Sequence, residues 1–134
     1  MKILSSESMP VRSSEDIVII RQTVRKRAVT LGLGLVDQTK FLTASSELAR
    51  NTLDYGGGGT VQIEMVERDR RAGIRLVFED KGPGIPDIDL ALTDGFSTGN
   101  GMGLGLSGAK RLSHEFEIDS TVGEGTRVSI LRWK

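Results

Sequence analysis

Apolar residues in the first third of the chain recur at intervals of three and four. Ile17, Ile20, Val24, Ala28 and Leu31 form one such series, with Arg21, Arg25 and Lys26 falling elsewhere. That pattern predicts a helix with one apolar stripe and a solvated remainder. Ser13 or Ser14, followed by Glu15 and Asp16, supplies its cap, and the helix ends near Gly32. A second helix begins near Val36. Phe41, Ser45, Leu48 and Thr52 lie on one of its stripes, and Glu47, Arg50, Asn51 and Asp54 on a polar stripe beside it. Four glycines at 56–59 terminate it. Ahead of both helices, residues 8–12 fit a short edge strand.

From residue 60 the period changes to two. Val61, Ile63 and Met65 alternate with polar neighbours, as do Ile74, Leu76 and Phe78, which predicts two strands joined by a charged turn at 69–73. The stretch 80–105 is rich in glycine, contains Pro83 and Pro86, and holds at most a short helix around 87–92. Leu106, Ala109, Leu112 and Phe116 then return at helical spacing, followed by strands at 117–122 and 126–133 around Gly123-Glu124-Gly125. Each helix has a single apolar stripe to bury. The expected fold is therefore α+β, a two-layer sandwich with a mainly antiparallel sheet covered by helices on one face.

At 134 residues the chain has the length of one domain, so residues 1–134 are read as a single unit. Hydrophobic residues make up 37% and charged residues 27%, which fits a folded globular protein rather than a disordered one. Acidic and basic residues number 18 each. No net field draws the chain to nucleic acid or to an anionic membrane, and any bound anion must be held locally. The absence of cysteine excludes disulfides, thiolate metal sites and cysteine nucleophiles, and fits a reducing compartment. The first twenty residues lack the continuous apolar core of a signal peptide, and no segment approaches membrane-spanning length. A cytoplasmic location is the expectation.

Three segments carry candidate chemistry. The first, FEDKGPGIPD, ends a strand on Asp80 and follows it with Gly82, Gly84 and Ile85. A carboxylate there can accept from an exocyclic amine while the glycines admit a flat ligand, although the segment alone is equally compatible with an ordinary turn. The second, GNGMGLGLSGAKRL, puts Gly101, Gly103 and Gly105, with Leu104 and Leu106 between and after them, ahead of a helix. Bare amides at a helix start suit an anion. It is no Walker loop, because Gly105-Leu106-Ser107 stands where that motif needs Gly-Lys-Ser/Thr. The third is Glu47 with Asn51, four apart and hence on one helix face. An amide oxygen beside phosphate oxygens suffices for Mg²⁺, and the carboxylate one turn back can orient or deprotonate an attacking hydroxyl or water.

In this order the segments resemble the boxes of the GHKL superfamily of ATPases and kinases. Glu47-Leu48-Ala49-Arg50-Asn51 matches its N box, Asp80-Lys81-Gly82-Pro83-Gly84 its first glycine box and residues 101–106 its second. Gly123-Glu124-Gly125-Thr126 looks like its final box. The resemblance spans about residues 10 to 133. The wording SSELARN, DGFSTGNGMGLGL and VGEGT is closest to the RsbT-type serine/threonine switch kinases of bacterial stress signalling. That resemblance implies the Bergerat-type ATP-binding fold, with ATP and Mg²⁺ as cofactors. It further implies that Asp80 binds the adenine amino group with Thr126 and Gly84 beside it, that Asn51 ligates Mg²⁺, and that Glu47 is the catalytic base or its orienter. Arg50 is implied near the phosphates, with a surface ion pair as its alternative. Residues 94–98 and the glycines after them are implied to form a lid.

The implied reaction is transfer of the γ-phosphoryl group to a serine or threonine of a small STAS-domain protein. Release from that partner frees the kinase to activate a phosphatase of the PP2C type. Two alternatives stay open at this point. One is an anti-sigma factor that holds a sigma factor and phosphorylates its antagonist. The other is a histidine-kinase-like ATPase domain, which requires a phosphoacceptor histidine on a preceding helical hairpin. The first helix here has none. His114, the only histidine, is given no role. Tyr55 is expected to close the second helix against the core, and Trp133 to pack on the sheet.

Overall fold

The computed structural model describes residues 1–93 and 105–134. In chain order the elements are β1 (Lys2–Val11), α1 (Ser14–Leu31), α2 (Leu35–Asp54), β2 (Gly59–Arg68), β3 (Arg71–Asp80), α3 (Ile88–Ala91), α4 (Gly105–Arg111), β4 (Glu115–Thr121) and β5 (Gly125–Trp133). The strands form one sheet in the order β1-β2-β3-β5-β4, and every neighbouring pair is antiparallel. This is the expected α+β two-layer sandwich. Among the described residues, no helix is long and apolar enough to cross a membrane.

Helix α1 begins where the cap residues put it. Ser13 is extended and its Oγ accepts from the Asp16 amide at 3.3 Å, and Arg12 pairs with Asp16 at 3.0 Å. It ends at Gly32, whose φ of 98° returns the chain while its amide reaches back to Ala28 and Val29. The apolar stripes read from the sequence are the buried ones. Ile17, Ile20, Val24 and Ala28 of α1, and Phe41, Ser45, Leu48 and Thr52 of α2, pack against Val61, Ile63, Ile74, Leu76, Phe78, Val128 and Ile130 of the sheet. A second small cluster, Val66, Leu131 and Trp133, lies apart from this core, with the Arg68 guanidinium 5.1 Å from the Trp133 ring centroid.

Three boundaries differ from the pattern. Strand β1 runs over ten residues, not five, because its exposed edge position tolerates the serines that hide its alternation. The β2–β3 turn is two residues, Asp69 and Arg70, both with positive φ (52° and 67°), so the strands extend further into the charged segment than expected. Phe116 belongs to β4 rather than to the helix before it. Helix α4 stops at Arg111, the His114 amide donates to the Leu131 carbonyl, and Phe116 reaches the core from the pleat.

Arg132 joins three elements on the helical side. It is buried; its Nη1 donates to the Leu112 carbonyl just past α4, and its Nη2 donates to Asp37 in the first turn of α2, both at 2.7 Å. The end of α4 and the start of α2 are thereby tied to β5.

Candidate functional site

The pleat of β3 puts Asp80 on the same face as Ile74, Leu76 and Phe78, toward the helices but beyond the end of the core. The strand registers align one residue from every strand with it. Val11, Gly59, Asp80, Thr126 and Ser120 form a single row across the sheet. Val11 closes one end as core, and the other end presents three oxygen-bearing side chains on adjacent strands.

Glycines let the backbone pack closely around that row. Gly56, just past α2, lies so close to the Asp80 carboxylate that a β-carbon there would overlap it. A β-carbon on Gly82 would in turn stand 2.8 Å from the Gly56 Cα. Gly84 has a φ of 78° and faces the Thr121 carbonyl, where any side chain would both strain and collide. The loop is then pinned at several points. Gly82 N–H donates to Asp80 Oδ1 at 2.9 Å, Tyr55 Oη to the Gly84 carbonyl at 3.2 Å, and Gly123 N–H to the Pro83 carbonyl at 2.8 Å. Ile85 N–H donates to Ser120 Oγ at 2.8 Å, and Ser120 Oγ is also 2.8 Å from Thr126 Oγ1. Asp80 Oδ2 has no donor among the described residues.

Helix α2 supplies the neighbouring wall. Glu47 and Asn51 are half-buried, one turn apart. Asn51 Nδ2 lies 3.9 Å from the place a Gly105 β-carbon would occupy, so the polar stripe of α2 meets the first residue of α4. Leu106 is buried in the core and can offer a ligand only its backbone. Arg50 is exposed, with Nη1 4.0 Å from Asp54, the surface pair weighed as its alternative use. Gly101, Gly103 and Leu104, and the segment read as a lid, lie outside the described residues.

The geometry gathers Asp80, Gly82, Gly84, Ile85 and Thr126 at one end of the sheet, and sets Glu47 and Asn51 one turn apart on α2, where Asn51 meets Gly105. A carboxylate oxygen with no donor among the described residues, beside glycine backbone, suits a flat base bearing an amino group. Residues 36–134 match the family of histidine kinase-, DNA gyrase B- and HSP90-like ATPases. The chain belongs to this ATPase family. ATP is accordingly its ligand. The chain is 49% identical over 118 residues to the serine/threonine-protein kinase RsbT of Bacillus subtilis (strain 168), covering 88% of this chain and 89% of the relative. It is 29% identical over 122 residues to the anti-sigma F factor of Geobacillus kaustophilus (strain HTA426), covering 86% and 82%. The crystal structure of the RsbU and RsbW domains of a Mycobacterium tuberculosis protein shares the fold, with a TM-score of 0.65 at 15% identity. That match covers 97% of this ATPase and 33% of the larger chain.

Two further residues at this candidate site have no local sequence signal for their place in it. Ser120 was counted only as part of a strand, although its place opposite Thr126 follows once the turn at 122–124 is taken as the hairpin's pivot. Gly56 has the sequence signature of a helix terminator, and its contact with Asp80 spans 24 residues of sequence.

Proposed function

We propose that the chain is an ATP-dependent serine/threonine protein kinase of a partner-switching module. The 49% identity to RsbT over 88% of the chain carries this reading. Asp80 Oδ2 accepts from the adenine amino group while Oδ1 is held by Gly82 N–H. Gly82, Gly84 and Ile85 offer backbone to the base, and Thr126 supports the carboxylate from the next strand. Gly101, Gly103, Leu104, Gly105 and Leu106 supply amides to the phosphates. Arg50 can exchange its exposed pair with Asp54 for a phosphate at little cost.

Asn51 would give one amide oxygen to Mg²⁺, a cation that prefers oxygen ligands and keeps several waters. No group of three or more His, Asp or Glu side chains could hold a metal among the described residues. When bound, the ion would offset phosphate charge, with phosphate oxygens and water able to join Asn51 as ligands. Glu47 takes the proton of the acceptor hydroxyl as that oxygen bonds to the γ-phosphorus. The bridging P–O bond between the β- and γ-phosphates breaks, and ADP leaves.

The acceptor is a small STAS-domain protein in the cytoplasm, and release from it allows activation of a PP2C-type phosphatase. Co-purification from the native cell in the presence of Mg-ATP tests the partner. Recovery of a STAS-domain protein is expected. Recovery of a sigma factor instead would favour the anti-sigma alternative suggested by the 29% identical relative.

A further inference from the structure

We propose that Ser120 is a positioning residue for nucleotide binding, a hydroxyl clip that holds the glycine loop and Thr126 in register with Asp80. The inference rests on the reading of Asp80 as the adenine carboxylate. Ser120 ends the cross-sheet row, directly opposite Thr126, which is itself opposite Asp80. A serine hydroxyl has one proton and two lone pairs. Ile85 N–H takes one lone pair at 2.8 Å. The remaining lone pair and the proton serve Thr126 Oγ1 at 2.8 Å and the Gly125 carbonyl at 3.2 Å. The capacity of this half-buried oxygen is filled, and all three contacts are to segments that flank the Asp80 carboxylate.

Two consequences follow from that valence count. Ile85 immediately follows Gly84, whose positive φ sets the loop's path beside the base, so the Ile85–Ser120 bond fixes where that loop stands relative to β4. The Ser120–Thr126 contact fixes the threonine rotor, so its oxygen meets the ligand edge in one orientation rather than several. Without the Ser120 hydroxyl, Ile85 N–H loses its acceptor and Thr126 its anchor, while the strand pairing, which uses backbone groups, is retained. Ser120→Ala should therefore weaken nucleotide binding and leave the fold in place.

Calorimetric ATP affinity and steady-state phosphotransfer would be measured for wild type, Ser120→Ala, Ser120→Thr, Thr126→Val and Asp80→Asn, with circular dichroism as the folding check. Ser120→Ala should bind ATP roughly tenfold more weakly, within the range expected for stranding one part-buried donor. Its KM for ATP should rise while kcat at saturating ATP stays near wild type. Ser120→Thr, which keeps the hydroxyl, should recover most of the affinity. Thr126→Val, which removes the partner, should reproduce a loss of ATP affinity even where Ser120→Ala does not fold. If Asp80→Asn loses ATP while folded Ser120→Ala binds it like wild type, the clip is refuted alone. Wild-type affinity in Thr126→Val also counts against it. If Asp80→Asn binds ATP normally, the adenine assignment itself falls, and the clip falls with it.

Discussion

The chemistry concentrates on three side chains whose oxygens differ in kind. Asp80 is an acceptor with one oxygen already committed to Gly82, so an amide in its place presents a donor to the adenine amine and strands it. Asp80→Asn should reduce ATP affinity by roughly 5- to 150-fold in calorimetry, the equivalent of about 1–3 kcal/mol for an unpaired polar group, with the fold unchanged. Asn51 and Glu47 share one face of α2, and the proposed mechanism assigns them to different stages. Asn51→Ala should weaken Mg-ATP binding, since a metal ligand is lost from the ground-state complex. Glu47→Gln should bind Mg-ATP nearly as well as wild type and slow single-turnover transfer roughly 10²–10⁴-fold, the usual share of a positioned base. At this scale the sequence was most informative. A carboxylate, an amide and glycines are recognisable from type and local spacing, whereas Ser120 and Gly56 act through strand register and a long-range contact that no local pattern records.

Among the elements, the amphipathic helices were legible because burial follows a period that the sequence displays; β1 was not, because an edge strand need not bury a clean face. The α4–β4 junction was misread for a related reason. Phe116 lies four residues after Leu112, a helical spacing, but the β4–β5 ladder begins at Glu115 and overrides it. Arg132 holds that junction to α2 through the Leu112 carbonyl and Asp37. Arg132→Met keeps the apolar stem but leaves the carbonyl without its donor, and should lower unfolding free energy by about 1–3 kcal/mol in denaturant titration. Next to it, His114 Nδ1 accepts from the Trp133 amide at 2.9 Å, which requires an unprotonated nitrogen. Burial, then the charges of Arg132 and Arg71, hold its pKa below the ordinary value of 6.5. The unfolded chain therefore takes up the proton first as pH falls. Stability from this group is complete above pH 6.5 and is lost as the pH drops from there through the lower folded value. In His114→Asn, which keeps an acceptor without titrating, thermal melts between pH 7 and pH 5.5 should vary less steeply than in wild type.

For the whole molecule, the sheet order brings the strand-end carboxylate, the final threonine and the end of α2 to one side, although they lie far apart in the chain. The sequence contained the boxes but not their meeting, which depends on β5 inserting between β3 and β4. That insertion makes Thr126 the neighbour of Asp80. The central claim is that this assembly moves the γ-phosphoryl group of ATP to a hydroxyl on another protein. The most direct measurement is single-turnover transfer from γ-labelled Mg-ATP to the co-purified partner, followed by acid and base treatment of the labelled product. The expected result is a label on the partner that survives acid, as a serine or threonine ester does, and that is absent with Glu47→Gln on the wild-type timescale. An acid-labile label, or transfer at the wild-type rate by Glu47→Gln, would contradict it.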